Sequence, residues 1–212
     1  IKFTGVNPEK ITVTLESADE LPKGNEPVDE LIGKKFIMYI GRPTPHKNLR
    51  RLIDAFALLQ KKYPDLTLAL AGKKDSNYAR HETYVNEHGI KNVVFTGFIS
   101  DEQLRWMYEN TAVYCFPSLS EGFGLPGLEA MLHGAPVASS TATCLPETHG
   151  DAAHYFDPFS VEDIAKSIDD ILSDDKLRNE LVKKGKKHVK TFSWQRMAEQ
   201  TLAVYEKYGR KS

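Results

Sequence analysis

The chain has 212 residues, 41% of them hydrophobic, which suits one domain with a sizeable core, or one domain plus a short extension. A formal net charge of −1 gives no global sign of a nucleic-acid partner, and no apolar run reaches the ~18 residues of a membrane-spanning helix. Cys115 and Cys144 lie in apolar stretches without a CxxC and read as reduced packing residues. The opening "IKFTGVNPEKITV" lacks a signal-peptide layout, so the expected compartment is cytoplasmic.

In chain order, "KITVTL" resembles one strand, and residues 17–34, with two prolines and several charges, read as a lead-in outside the core. "FIMYIG" (36–41) is a short apolar run closed by Gly41, hence a buried strand. In "NLRRLIDAFALLQKKY", Leu49, Leu52, Ile53, Phe56 and Leu59 share one helical face. "LTLALAG" is a strand, "YARHETYVNEHG" a polar helix stopping at Gly89, and "VVFTGF" a strand. "SDEQLRWMYEN" opens on Ser100 as N-cap, with Gln103 at capping-box spacing. "AVYCFPS" is a strand; "LPGLEAMLHG" is a helix with Pro126 in its first turn and Gly134 past its end; "PVASS" is a strand. Residues 161–172, 175–190 and 193–208 read as three helices.

Short apolar strands alternating with helices predict an α/β fold, a doubly wound parallel sheet of Rossmann-like type covered on both faces. Such sheets bind ligands outside the carboxyl ends of their strands, which makes 41–48, 72–77, 97–100 and 117–125 the candidate loops.

"EGFGLPGLEA" (121–130) admits two chemistries. Gly122, Gly124 and Gly127 spell G-x-G-x-x-G, but "SLSE" separates them from the strand, Glu121 would set a negative charge beside a dinucleotide's pyrophosphate, and the motif follows the fourth core strand instead of the first. The carboxylates Glu121 and Glu129 make better sense of the stretch. Free N–H groups around Gly124 and Leu125 form an anion site, and Gly122 and Gly124 let a ligand approach the backbone. Glu129, one turn into the helix, can accept hydrogen bonds from a vicinal diol such as a ribose, and Glu121 can hold further hydroxyls. Arg42 and Lys47, in "GRPTPHKN", suit a pyrophosphate in the same crevice. The plainer alternatives are a solvated Glu121, a capping Glu129 and two solvated loop cations. The histidines show no metal-ligand spacing, and His46 reads as a surface residue before a phosphate ligand.

These residues resemble the retaining GT-B glycosyltransferases of sequence family 4. The resemblance rests on "YIGRPTPHKNLRRLIDAF", "LALAG", the block from "VVFTGFISDEQLRWMYEN" through "SEGFGLPGLEAMLHGAPVASS", "LPETHGDAAHYFDP" and "FSWQRMAEQTLAVYEKY". The "P..KN" loop looks most like the mannosyltransferase-like branch. The resemblance implies the C-terminal, donor-binding half of a two-domain enzyme that transfers a hexosyl group from a nucleotide sugar to a glycan or lipid-linked acceptor. By that likeness Arg42 and Lys47 hold the diphosphate, Gly124 and Leu125 meet the distal phosphate or sugar, and Glu121 the sugar hydroxyls. Glu129 holds the ribose, Phe98 and Ile99 flank the base, and Gly41, Gly122 and Phe123 belong to the same loops. Leu145, Pro146 and Glu147 match a structural segment. Retention by same-face attack with no assigned protein nucleophile, no cofactor and no metal is implied, and the chain has no Asp-x-Asp.

The expected layout is an interdomain join and lead-in over 1–35, the donor-binding domain over 36–192 and a crossing helix over 193–212. An N-terminal acceptor-binding domain is the missing partner, so Met197, Leu202 and Tyr205 of the crossing helix are expected to be partly exposed. The basic helix 176–190 is a candidate for peripheral contact with the inner membrane face, with a solvated face as the plainer reading. The alternative to an enzyme is a non-catalytic nucleotide or nucleotide-sugar binding module.

Overall fold

A computed structural model describes residues 5–24 and 26–209; residues 1–4, 25 and 210–212, parts of the expected join and crossing helix, lie outside the described residues. Five strands form where the apolar runs predict them: β1 (Phe36–Ile40), β2 (Thr67–Ala71), β3 (Val93–Gly97), β4 (Val113–Phe116) and β5 (Val137–Ser140). A sixth, β6 (Ala153–Phe156), completes a parallel sheet of order β3-β2-β1-β4-β5-β6. Its edge position explains why the pattern hides it: two of its four residues are only half-buried, so no continuous apolar run announces it.

Side chains alternate across this sheet. Ile37 and Tyr39 point to one face, against α1 (Leu49–Leu59), α2 (Ser76–Glu87) and α6 (Val161–Ser173). Phe36, Met38, Tyr114 and Phe116 point to the other, against α3 (Asp101–Asn110) and α4 (Leu125–Leu132). The predicted apolar face of α1 is buried in full. The capping box of Ser100 and Gln103 on α3 is formed, and Gly134 turns the chain after α4 at φ +85°.

Two expectations are corrected. Residues 10–15 form no strand, because no neighbouring strand offers them a ladder; Val13 is 66% exposed. The lead-in 17–34 is not all outside the core: Val28 and Leu31 pack beneath the α3 face at 4% and 1% exposure. A short helix, α5 (Leu145–His149), was not separable from its loop by pattern. Then follow α7 (Asp175–His188) and α8 (Trp194–Tyr208); α8 buries no residue, and Leu202 and Tyr205 stand 56% and 69% exposed while Met197 is half-buried.

Candidate functional site

The strand order reverses between β1 and β4, so the connections leaving their carboxyl ends diverge and open a crevice. The loops that flank it are 41–48 and 117–124, which carry most of the predicted site residues. At the end of β1, Gly41 adopts φ +147°, and a Cβ there would come 2.7 Å from the Tyr39 hydroxyl, so only glycine fits the turn. The Tyr78 hydroxyl bridges the carbonyls of Ala71 and Gly41 at 2.7 and 3.0 Å, pinning the ends of β1 and β2 together.

Across the crevice Lys47 Nζ meets Glu121 Oε1 at 2.6 Å, with the two side chains only 20% and 12% exposed. The walls are stitched beside this pair. Leu119 N–H donates to the His46 carbonyl at 2.7 Å, and Asn48 Nδ2 donates to the Pro117 carbonyl at 2.9 Å. His46 itself is exposed, its ring 3.4 Å from the Thr44 hydroxyl.

Glu121 is held from behind as well. Its N–H donates to Thr143 Oγ1 at 3.1 Å, and its carbonyl accepts from Thr143 Oγ1 and Cys144 Sγ, each at 3.3 Å. Thr143 reaches this position at φ +53°, an unfavourable region for a β-branched residue. Such strain persists only where the surroundings over-determine it, and it collects at functional sites.

The first turn of α4 contains Pro126 and starts from Gly124 at φ +101°, with no side chain capping it. Pro126 has no N–H and the Gly127 N–H donates to the Gly124 carbonyl at 3.0 Å, so Leu125 supplies the first-turn N–H that no side chain caps. The role expected of Gly124 needs correction: a Cβ there would meet Leu145 Cδ2 at 2.7 Å, so its hydrogen makes room for α5 instead of a ligand, whereas Gly122 faces open space. Beneath lies His149, fully buried. The Gly124 carbonyl can only accept, so Nε2 carries the proton and donates to it at 3.2 Å; Nδ1 lies 3.2 Å from Ser139 Oγ, whose one hydrogen is shared with the Ser140 carbonyl at 3.3 Å. Gly127 has no side chain because the imidazole fills that space.

The remaining predicted residues divide between two cavities. Gly41, Arg42, Phe98 and Ile99 line one of about 570 Å³ with Asp75 and Asp101. Here Arg42 is 78% exposed and lies 3.6 Å from Asp75, while Phe98 is 84% exposed. Gly122 and Phe123 line another of about 540 Å³ with the segment Val13–Glu16, Phe192 and Glu147. Glu129 is half-buried and accepts from the Tyr108 hydroxyl at 3.3 Å. Burial raises its pKa above the ordinary carboxylate value, the Tyr108 hydrogen bond opposes the rise, and the charges of Asp101 and Asp19 add to it.

Sequence reasoning missed Asn48, Tyr78, Thr143 and His149. Only Asn48 carried a local signal, as an N-cap residue type ahead of the α1 apolar face; the others act through contacts distant in sequence. Among the described residues no cluster of three or more His, Cys, Asp or Glu could hold a metal ion, and no helix is long and apolar enough to cross a membrane.

Known proteins share the fold and much of the sequence. The family model described as glycosyl transferases group 1 matches residues 24–188. The chain is 35% identical over 182 residues to O-antigen chain mannosyltransferase B of Escherichia coli, covering 84% of this chain and 47% of that protein. It is 33% identical to MMP alpha-(1->4)-mannosyltransferase of Mycolicibacterium hassiacum, covering 95% of this chain and 49% of the relative. The chain thus spans about half the length of these relatives. Among solved structures, the C-terminal domain of a glycosyl transferase group 1 family protein from Francisella tularensis superposes with a TM-score of 0.67 at 31% identity, covering 77% of this chain and 88% of that domain.

Proposed function

This chain belongs to the glycosyl transferases group 1 family, and we propose that it binds the nucleotide-sugar donor of a retaining hexosyl transfer, of mannosyl type by its relatives. The observation that carries the proposal is the Lys47–Glu121 pair standing at the switch point beside the uncapped first turn of α4. In this reading Lys47, Arg42 and the α4 N–H groups receive the diphosphate. Glu121 holds sugar hydroxyls, Glu129 the ribose, and Phe98 and Ile99 flank the base, with Gly41, Gly122, Phe123, Gly124 and Leu125 shaping the loops around them.

The chemistry follows from the charges. As the bond between the anomeric carbon and the distal phosphate oxygen breaks, negative charge grows on the leaving diphosphate. Fixed cations and helix N–H groups stabilise that charge more than the ground state, a contribution of several kcal/mol in sites of this kind. No protein nucleophile is assigned; Glu121 is occupied by Lys47 and has the role of a hydroxyl ligand. Acceptor hydroxyls are proposed to be presented by residues outside this chain.

The test is a calorimetric and thermal-shift panel of UDP, GDP, ADP and their sugars. At a hundredfold excess over Kd one nucleotide should stabilise the fold by about 2.7 kcal/mol, a rise of roughly 5–10 °C in Tm. The shift should persist in EDTA, because Lys47, Arg42 and α4 supply the positive field. If no member of the panel moves Tm, the donor reading is lost; a shift that collapses in chelator and returns with magnesium overturns the account of the diphosphate site.

Glu129 gives a second check. Its ionised form is the one that accepts from both ribose hydroxyls, so nucleotide affinity should fall as pH drops through its raised pKa. Glu129→Gln should lose about tenfold in affinity at neutral pH, near 1.5 kcal/mol for a charged hydrogen bond, and lose that pH dependence. Unchanged affinity in calorimetry would remove Glu129 from the site.

A further inference from the structure

Asn48 is a buried polar side chain at the crevice with no role in the chemistry just described. It is 4% exposed and adopts φ +60°, ψ +29°, immediately before α1. Its amide nitrogen donates to the Pro117 carbonyl at 2.9 Å and to the Pro158 carbonyl at 2.8 Å. Its Oδ1 accepts from Arg51 Nη1 at 2.9 Å. Both amide hydrogens and the oxygen are therefore in use.

Two demands meet at this position. The left-handed backbone favours glycine or asparagine. Two carbonyls, which can only accept, need two hydrogens from one short side chain, which glycine, serine, threonine or aspartate cannot supply. Pro117 ends the β4 wall four residues before Glu121, and Asn48 follows Lys47 directly. One amide thus fixes the backbone of the cation against the backbone that carries its partner. The link is short, buried and independent of the Lys47–Glu121 ion pair.

We propose that Asn48 is a positioning residue: it acts through Lys47, holding that ammonium where it meets Glu121 in the free protein and the diphosphate in the complex. This rests on the donor reading above. A staple that merely supports the fold would affect every ligand contact alike, whereas a residue acting through Lys47 has nothing left to position once the ammonium is gone. A double-mutant cycle separates the two.

The experiment is calorimetry of the tightest nucleoside diphosphate of the panel on the wild type, Asn48→Gly, Lys47→Met and the double variant. Glycine keeps the left-handed backbone and removes the clasp together with the Oδ1 acceptor of Arg51. Asn48→Gly should weaken binding at least about tenfold in the presence of Lys47, and should add less than a twofold loss to Lys47→Met. An equal fold-loss in both backgrounds, or none in either, overturns the proposal. Should Asn48→Gly not fold, Asn48→Ser, which keeps one donor, is read by the same cycle and should show a smaller coupled loss. A wild type that binds no diphosphate sinks the donor reading itself, an outcome distinct from a cycle that binds but shows no coupling.

Discussion

Lys47→Met should weaken nucleoside-diphosphate binding by about 2–4 kcal/mol, on the order of 10²-fold or more, the cost of truncating one member of a buried, hydrogen-bonded charge pair. Two effects add. The diphosphate loses a cation held against one wall of the crevice, and Glu121, at 12% exposure and 2.6 Å from the lost ammonium, is left as an uncompensated anion facing it. Arg42 cannot substitute: it is 78% exposed and turned toward Asp75, where solvent screens its charge. Glu121→Gln should behave in the opposite way toward the diphosphate alone. With the carboxylate gone, Lys47 no longer has to be shared, so the affinity for the free diphosphate should hold or rise while the advantage of the nucleotide sugar over the diphosphate shrinks. The double variant should recover part of what Lys47→Met loses, because its second change removes the repelling anion. Titrations in which Lys47→Met binds as tightly as the wild type would show that the diphosphate lies elsewhere.

The fold was legible where burial on both faces of the sheet writes itself as an unbroken apolar run. "FIMYIG" and "LTLALAG" became β1 and β2 because all their strand residues but the half-buried Ile40 are inside and the closing glycine takes a positive φ. β6 was illegible for the complementary reason: at the edge, His154 and Tyr155 are only half-buried and read like a loop. Val28 and Leu31 went unrecognised because isolated apolar residues in a charged segment have no period, and only the groove beneath α3 gives them a core position. At the site, the charge types of Lys47 and Glu121 pointed to one crevice, yet their contact depends on β1 and β4 being neighbours, a fact of sheet order that no local pattern encodes. The same limit hid the packing reason for a glycine at 124. Its missing Cβ answers to Leu145 on α5, 21 positions away in the sequence.

The uncapped start of α4 depends on a group whose protonation can be measured. His149 is fully buried, and burial pushes its pKa down from 6.5 to about 4, a shift to which the nearby His188 adds and which Glu121 and the Gly124 carbonyl oppose. The sign of the linkage follows. Above pH 6.5 the imidazole is neutral in both the folded and the unfolded chain, and stability is unaffected. Between 6.5 and 4 the unfolded chain takes up a proton that the folded one refuses, so stability falls as pH falls, and the loss is complete below about pH 4. A difference of 6.5 to about 4 corresponds to about 3 kcal/mol. His149→Gln should keep a donor toward Gly124 while removing the titration. The wild type should therefore lose about 3 kcal/mol more than this variant between pH 7 and pH 4 in urea unfolding, even if the variant starts less stable. Through His149 the donor affinity of the folded protein should not change across that window, because the folded imidazole stays neutral until the pH approaches about 4. Parallel pH profiles for wild type and variant would show that the imidazole takes up its proton as readily in the fold as in the unfolded chain, and that burial does not hold a neutral ring beneath the site.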